Sequence, residues 1–186
     1  MVDRVSALAG HYEVGHHGDP ENTGVILEDI KGLMLHQVAV WPESIDAVGK
    51  DLAKLIGADA AAAPCSASTG KKASMLRIEP MKWWLFGVEA PSLDAEQGAT
   101  LDISHSRTHV RVTGDCAVAF LNRHFPIDFR ADSFPEGAVA SSVTHHVGVT
   151  IWHSKHGYEL FMPRGFALAL WEGFVESAEQ FGLEIR

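Results

Sequence analysis

The densest run of reactive side-chain types in the chain is Asp102-Ile103-Ser104-His105, a carboxylate, a hydroxyl and an imidazole within four positions. These are the groups of nucleophilic hydrolysis, but a hydrolase triad draws its members from separate elements. Three of them packed in one extended segment cannot reach that geometry, and no Gly-x-Ser-x-Gly elbow occurs. A polar loop whose side chains tie down nearby backbone is the expected use. The 11 histidines raise the question of a metal. His145 and His146, read as neighbours on one strand, point to opposite faces. His153 and His156 flank a turn with no acid or cysteine at ligand spacing beside them. No metal site is expected.

Nucleotide chemistry has no better support. Thr69-Gly70-Lys71-Lys72 lacks the glycine pattern of a phosphate loop, and no Gly-x-Gly-x-x-Gly occurs. Trp83, Trp84 and Trp152 are aromatic enough to line a flavin or folate pocket, although core or subunit interface is the commoner use. Cys65 and Cys116 stand far apart, as expected of reduced thiols rather than a disulfide framework. The residues alone therefore yield no catalytic, cofactor-binding or metal site.

The net charge of −9 is spread along 186 residues, with no basic cluster longer than Lys71-Lys72. Such a surface repels polyanions, so nucleic acid is not an expected partner. No apolar run approaches the roughly 20 residues that span a bilayer. The Met-Val-Asp-Arg start has no apolar signal region. A cytoplasmic protein without a membrane segment is expected.

The elements that must position these residues follow from periodicity. Residues 1–24, with His11, His16 and His17 among glycines, show no sustained period and are expected to be a tail with little fold of its own. Val25 to Val40 predicts one or two strands broken at Lys31-Gly32. Trp41-Pro42-Glu43-Ser44 opens a helix whose face carries Ile45, Val48, Leu52, Leu55 and Ile56, with Gly57 as its stop. Residues 57–72 are poor in large side chains and are expected to be a mobile connection. A hairpin spans Ser74 to Gly87, its adjacent Trp83 and Trp84 facing opposite sides of the sheet. Val88 to Ala99 looks like a linker.

Beyond it, Val110 and Val112 alternate with His109 and Arg111. Gly114-Asp115 starts a helix with Ala117, Phe120, Leu121 and His124 on one stripe, ending before Pro126. Ile127, Phe129 and Phe134 anchor the following loop. Ser142 to His153 reads as one long strand, paired with Tyr158, Leu160 and Met162 across a His156-Gly157 turn. A helix from Arg164 then points Phe166, Leu170 and Phe174 inward and ends at Gly182. The fold class is α+β, in two small lobes over 25–90 and 100–186, each a mainly antiparallel sheet with helices on one face.

The ordered set Asp102, Ser104, His105, Arg107, then Gly114 and Phe120-Leu121, resembles the folate-dependent aminomethyltransferases. Pro126-Ile127-Asp128, Phe134-Pro135-Glu136-Gly137, Tyr158-Glu159-Leu160-Phe161, Arg164-Gly165-Phe166 and Leu170-Trp171-Glu172 resemble more closely the gamma subunits of heterotetrameric sarcosine oxidases. That resemblance implies the aminomethyltransferase fold and a non-catalytic role. It also implies partnership with alpha, beta and delta subunits that carry the FAD, FMN, NAD, tetrahydrofolate and zinc of a complex oxidatively demethylating sarcosine, with the one-carbon unit passed to tetrahydrofolate. The gamma chains of complexes acting on N-methylglutamate or dimethylglycine are similar, and a stand-alone folate-binding protein is the alternative from another class. In the aminomethyltransferases an aspartate near the end of the long second strand serves the folate. The run here is Val147-Gly148-Val149-Thr150-Ile151-Trp152, without a carboxylate. The expected docking regions are residues 1–24, the Trp83-Trp84 hairpin and the Pro126 to Gly137 loop.

Overall fold

A computed structural model describes residues 5–18, 22–71 and 73–186. In chain order come β1 (Gly15–His17), β2 (Val25–Ile30), β3 (Leu35–Val40) and α1 (Ile45–Ile56). Next are β4 (Ala67–Thr69), β5 (Ser74–Glu79), β6 (Lys82–Phe86), β7 (Gly98–Asp102), β8 (Arg107–Thr113) and α2 (Ala117–His124). The chain finishes with β9 (Val139–Thr144), β10 (Val147–Ser154), β11 (Gly157–Pro163), α3 (Ala167–Glu179) and β12 (Leu183–Ile185). The fold is α+β, as expected.

Two compact units result, and the chain interleaves them. The first comprises Met1–Gly32, Ser106–Glu136 and Ser141–Arg186; the second comprises Leu33–His105 and Gly137–Ala140. The contiguous split at 25–90 and 100–186 therefore differs from the observed one at both ends. Leu27 on β2 pairs with Val112 on β8, inside the first unit. Leu101 on β7, expected in the second lobe just past the linker, pairs instead with Gln37 on β3, inside the second unit. The Lys31-Gly32 break, with Gly32 at φ 71°, is where the chain changes unit.

The second unit holds a sheet in the order β4-β5-β6-β3-β7. Helix α1 forms where its apolar spacing predicts. It is preceded by a 3₁₀ turn over Pro42–Ser44 and capped by Gly57 at φ 74°, whose N–H donates to Ala53 O and Lys54 O. Its Val48, Leu52, Ala53 and Ile56 pack on Val38, Val40, Met75, Trp83 and Leu85. Each large apolar side chain so buried stabilises by about 1.5–3 kcal/mol. Residues 57–72 are not simply a connection, because Ala67–Thr69 pairs with β5.

The first unit holds a sheet in the order β1-β12-β2-β8-β11-β10-β9, antiparallel except for the parallel β12–β2 pair. One face carries Leu27, Val110, Val112, Tyr158, Leu160, Met162 and Ile151, all buried. The helices lie on that side: Tyr158 packs on Phe129, Phe129 on Phe125, and Phe125 on Phe174 of α3. Phe120 of α2 meets Phe174 edge-on at 5.8 Å.

Four expectations change here. The described part of residues 1–24 is not a tail without fold: Leu8 is fully buried, Tyr12 packs on Trp171 with ring centroids 5.1 Å apart, and Gly15–His17 pairs with β12. Asp19 and Pro20 lie outside the described residues. The strand expected from Ser142 to His153 is a hairpin, because His145 and His146 take positive φ of 45° and 65°, the backbone of a two-residue turn. Phe166 is 56% exposed, since Arg164–Phe166 form a 3₁₀ turn ahead of α3 and displace it from the helix stripe. Cys116, not Asp115, occupies the position before α2.

Candidate functional site

The alternation of β8 and β11 puts charged side chains on the sheet face opposite the helices. Register sets Glu159 directly across from Arg111, and Arg111 across from Glu28 on β2. Arg111 Nε donates to Glu159 Oε1 at 2.9 Å, and another of its guanidinium nitrogens donates to Glu28 Oε2 at 3.3 Å. Ser154 Oγ donates to Glu159 Oε1 at 2.7 Å, and His109 Nε2 to Glu159 Oε2 at 2.7 Å. The His109 ring stacks on Phe161 at 4.8 Å. Glu159 and His109 are each 1% exposed.

Burial by itself pushes the Glu159 carboxyl up. The His109 hydrogen bond and charge, the Ser154 hydroxyl and the Arg111 charge outweigh it and hold the carboxyl below the usual range. Both carboxylate oxygens are engaged and the group stays ionised at neutral pH. General acid–base catalysis needs a group that exchanges its proton near the working pH, and this one does not. The arrangement is a buried strut tying β2, β8, β10 and β11 together. Sequence reasoning passed over it, although a glutamate inside Tyr158-Glu159-Leu160-Phe161-Met162, an otherwise apolar strand, was a visible signal.

By sequence, no family model and no curated protein matches the chain. By structure, it superposes on a chain of the heterotetrameric sarcosine oxidase from Corynebacterium sp. U-96 with a TM-score of 0.77, covering 96% of each chain at 18% identity. The two chains share one fold. The glycine cleavage system aminomethyltransferase T from Bartonella henselae is also similar, with a TM-score of 0.61 and 15% identity over 88% of this chain. Only 48% of that longer chain is covered, so this chain spans about half its length.

The residues of the sequence motif serve distinct local purposes. In the second unit, Ser104 Oγ donates to Leu35 O at 3.2 Å and accepts from Leu35 N at 2.9 Å, while Asp102 Oδ1 accepts from Ser104 N at 2.9 Å. The Ser104 hydroxyl, and after it that last bond, hold the Asp102 carboxyl below its usual range. His105 is exposed beside them. The segment is the backbone tie expected of it, and no triad forms. Gly137, also in this unit, has φ 89°.

In the first unit, Gly114 has φ 106°, and a Cβ there would run into Gly24 O. After Pro126, Asp128 accepts from Arg130 at 2.6 Å and from Ser133 Oγ at 3.0 Å, a loop clamp that holds its carboxyl well below the usual range. Phe129 and Phe134 turn inward, and His153 Nδ1 lies 2.9 Å from Phe134 O. Arg107 and Arg164 line one cleft, and Trp171 is buried against Tyr12.

Trp83 and Trp84 take opposite faces of β6 but are only 1% and 3% exposed, so neither offers docking surface. Trp83 belongs to the α1 core. The Pro126 to Gly137 loop likewise buries Phe129 and Phe134, while Ile127 is half-buried. Among the described residues no three potential metal ligands converge, and no helix is long and apolar enough to cross a membrane.

Proposed function

We propose that this chain is a non-catalytic, assembly-supporting subunit of a heterotetrameric sarcosine oxidase-like complex, in the position of its gamma subunit. The observation that carries the reading is the match of whole chain to whole chain, 96% in both directions, against a fold shared with aminomethyltransferase T over only half of that enzyme. Two features of the chain support it. Strand β10, Val147–Ser154, carries no carboxylate where the resemblance calls for the folate-side acid, and Glu159, buried on the neighbouring strand, is held by His109 and Arg111. On this reading the flavins, NAD, tetrahydrofolate and zinc belong to alpha, beta and delta partners, and the complex demethylates an N-methyl amino acid.

The test is native purification of the chain from its own cells. Co-elution with flavin absorbance and sarcosine-dependent oxidase activity, absent from the isolated chain, is the expected result. Elution as a free monomer, or turnover of sarcosine by the chain alone, overturns the reading.

A further inference from the structure

A cleft of about 270 Å³ opens in the first unit where the end of β2, the start of β8 and the turn after β11 come together. Lys31, Arg107 and Arg164 line it. On a chain of net charge −9, three cations around one recess create a local field of opposite sign. The single carboxylate among the described lining residues, Asp29, is 6% exposed and committed: Oδ1 accepts from Ser6 Oγ at 2.9 Å and Oδ2 from Tyr12 Oη at 3.3 Å. Among the described lining residues, cations therefore outnumber carboxylates three to one.

The second observation is independent of charge. Thr108 also lines the cleft and is 4% exposed, yet its hydroxyl has no hydrogen-bond partner among the described residues. Its alternation partners on β8, Val110 and Val112, are apolar core, so a valine would serve packing equally well. A buried hydroxyl left unpaired is costly unless something else completes it. Arg164, meanwhile, is steadied by donating to Val5 O at 2.8 Å.

We propose that this cleft binds a small aliphatic monocarboxylate, its two oxygens taken by Arg107 and Arg164 and its remaining lone pair by the Thr108 hydroxyl. Guanidinium groups recognise carboxylates through paired N–H donors, which fits the two arginines. A dianion such as phosphate would bring a second negative charge toward the buried Asp29, so the site favours a monoanion. Val5, Ala9 and Ile30 supply the apolar remainder of the lining. The volume falls just below the roughly 300 Å³ at which pockets for drug-sized ligands begin, so the ligand has few heavy atoms. The proposal goes beyond the subunit reading, which assigns this chain no ligand, and either can fail without the other.

The experiment is an NMR titration of the full chain with isobutyrate, with isobutyramide as neutral isostere and with inorganic phosphate. Saturable shifts at the Arg107 and Arg164 side-chain N–H and the Thr108 amide, with isobutyrate alone, are expected. Thr108→Val should weaken binding about tenfold, one hydrogen bond to a charged group, with an unfolding midpoint at or above that of the parent. Arg164→Gln should weaken it at least as much. Equal response to isobutyramide, stronger response to phosphate, no saturation, or affinity unchanged in Thr108→Val would each overturn the proposal.

Discussion

Replacing His124 with phenylalanine isolates an acid sensitivity that the fold builds into one side chain. His124 ends α2, its ring 4.7 Å from Phe120 and 4.8 Å from Phe174, with Nε2 buried and unbonded among the described residues. Burial, and after it the charges of His145 and Arg123, pushes its pKa down from 6.5 to about 4. The folded chain thus binds this proton later than the unfolded chain does. Its stabilising effect is complete above pH 6.5 and is lost as pH falls from 6.5 to 4. At about 1.4 kcal/mol per pH unit the whole gap is worth about 3 kcal/mol, and the partly open ring edge trims that to about 2 kcal/mol. Phenylalanine keeps the aromatic contacts and has no proton to gain. Urea unfolding at pH 7.5 and pH 4.5, followed by tryptophan fluorescence, should show His124→Phe losing about 2 kcal/mol less than the parent across that interval. Equal losses, or a His124 ring titrating near 6.5 by NMR, would refute the reasoning.

Three further outcomes follow from the packing. Glu159→Ala leaves His109 buried without its acceptor and Arg111, half-buried, with Glu28 alone, and should cost about 3 kcal/mol, read from the urea midpoint; a loss under 1 kcal/mol would show that the strut is dispensable. Because the Glu159 carboxyl is held low, its contribution is complete above the ordinary carboxylate range and fades only as pH falls through its lowered value. Ser104→Ala removes both hydrogen bonds to Leu35 and should lower stability by about 1–2 kcal/mol in thermal melts. Gly114→Ala forces a side chain into a positive-φ position against Gly24 O and should cost about 2 kcal/mol or more, whereas Gly148→Ala, in open space, should be tolerated.

Elements with a sustained period were legible in the sequence. Helix α1 appears where Val48, Leu52 and Ile56 recur with Gly57 behind them, and the opposite-facing tryptophans of β6 follow from pleat geometry alone. What escaped has physical reasons. Strands β1, β4 and β12 have three residues each, too few to show alternation. The β9–β10 turn uses two histidines where glycine or asparagine would have signalled it, and the alternation runs on through them. The Glu159 network joins residues 48 and 50 positions apart, so only strand register reveals it. The Arg107–Arg164 cleft needs the same knowledge. Asp102-Ser104-His105, by contrast, was readable as backbone support because no fold could bend so short a segment into a triad.

The interleaving of the two units bears on how such a chain can diverge. β2 sits in one sheet and β3, five residues later, in the other, while β7 returns to β3 before β8 rejoins β2. No single cut releases either unit whole. A fragment over 25–90 would carry β2 without its partners β8 and β12 and leave β3 with one bare edge. Neither half can be shuffled as a cassette, traded between proteins or shed when it has nothing to do. A lineage that inherits one unit is obliged to keep the other, so the two sheets must change together or not at all.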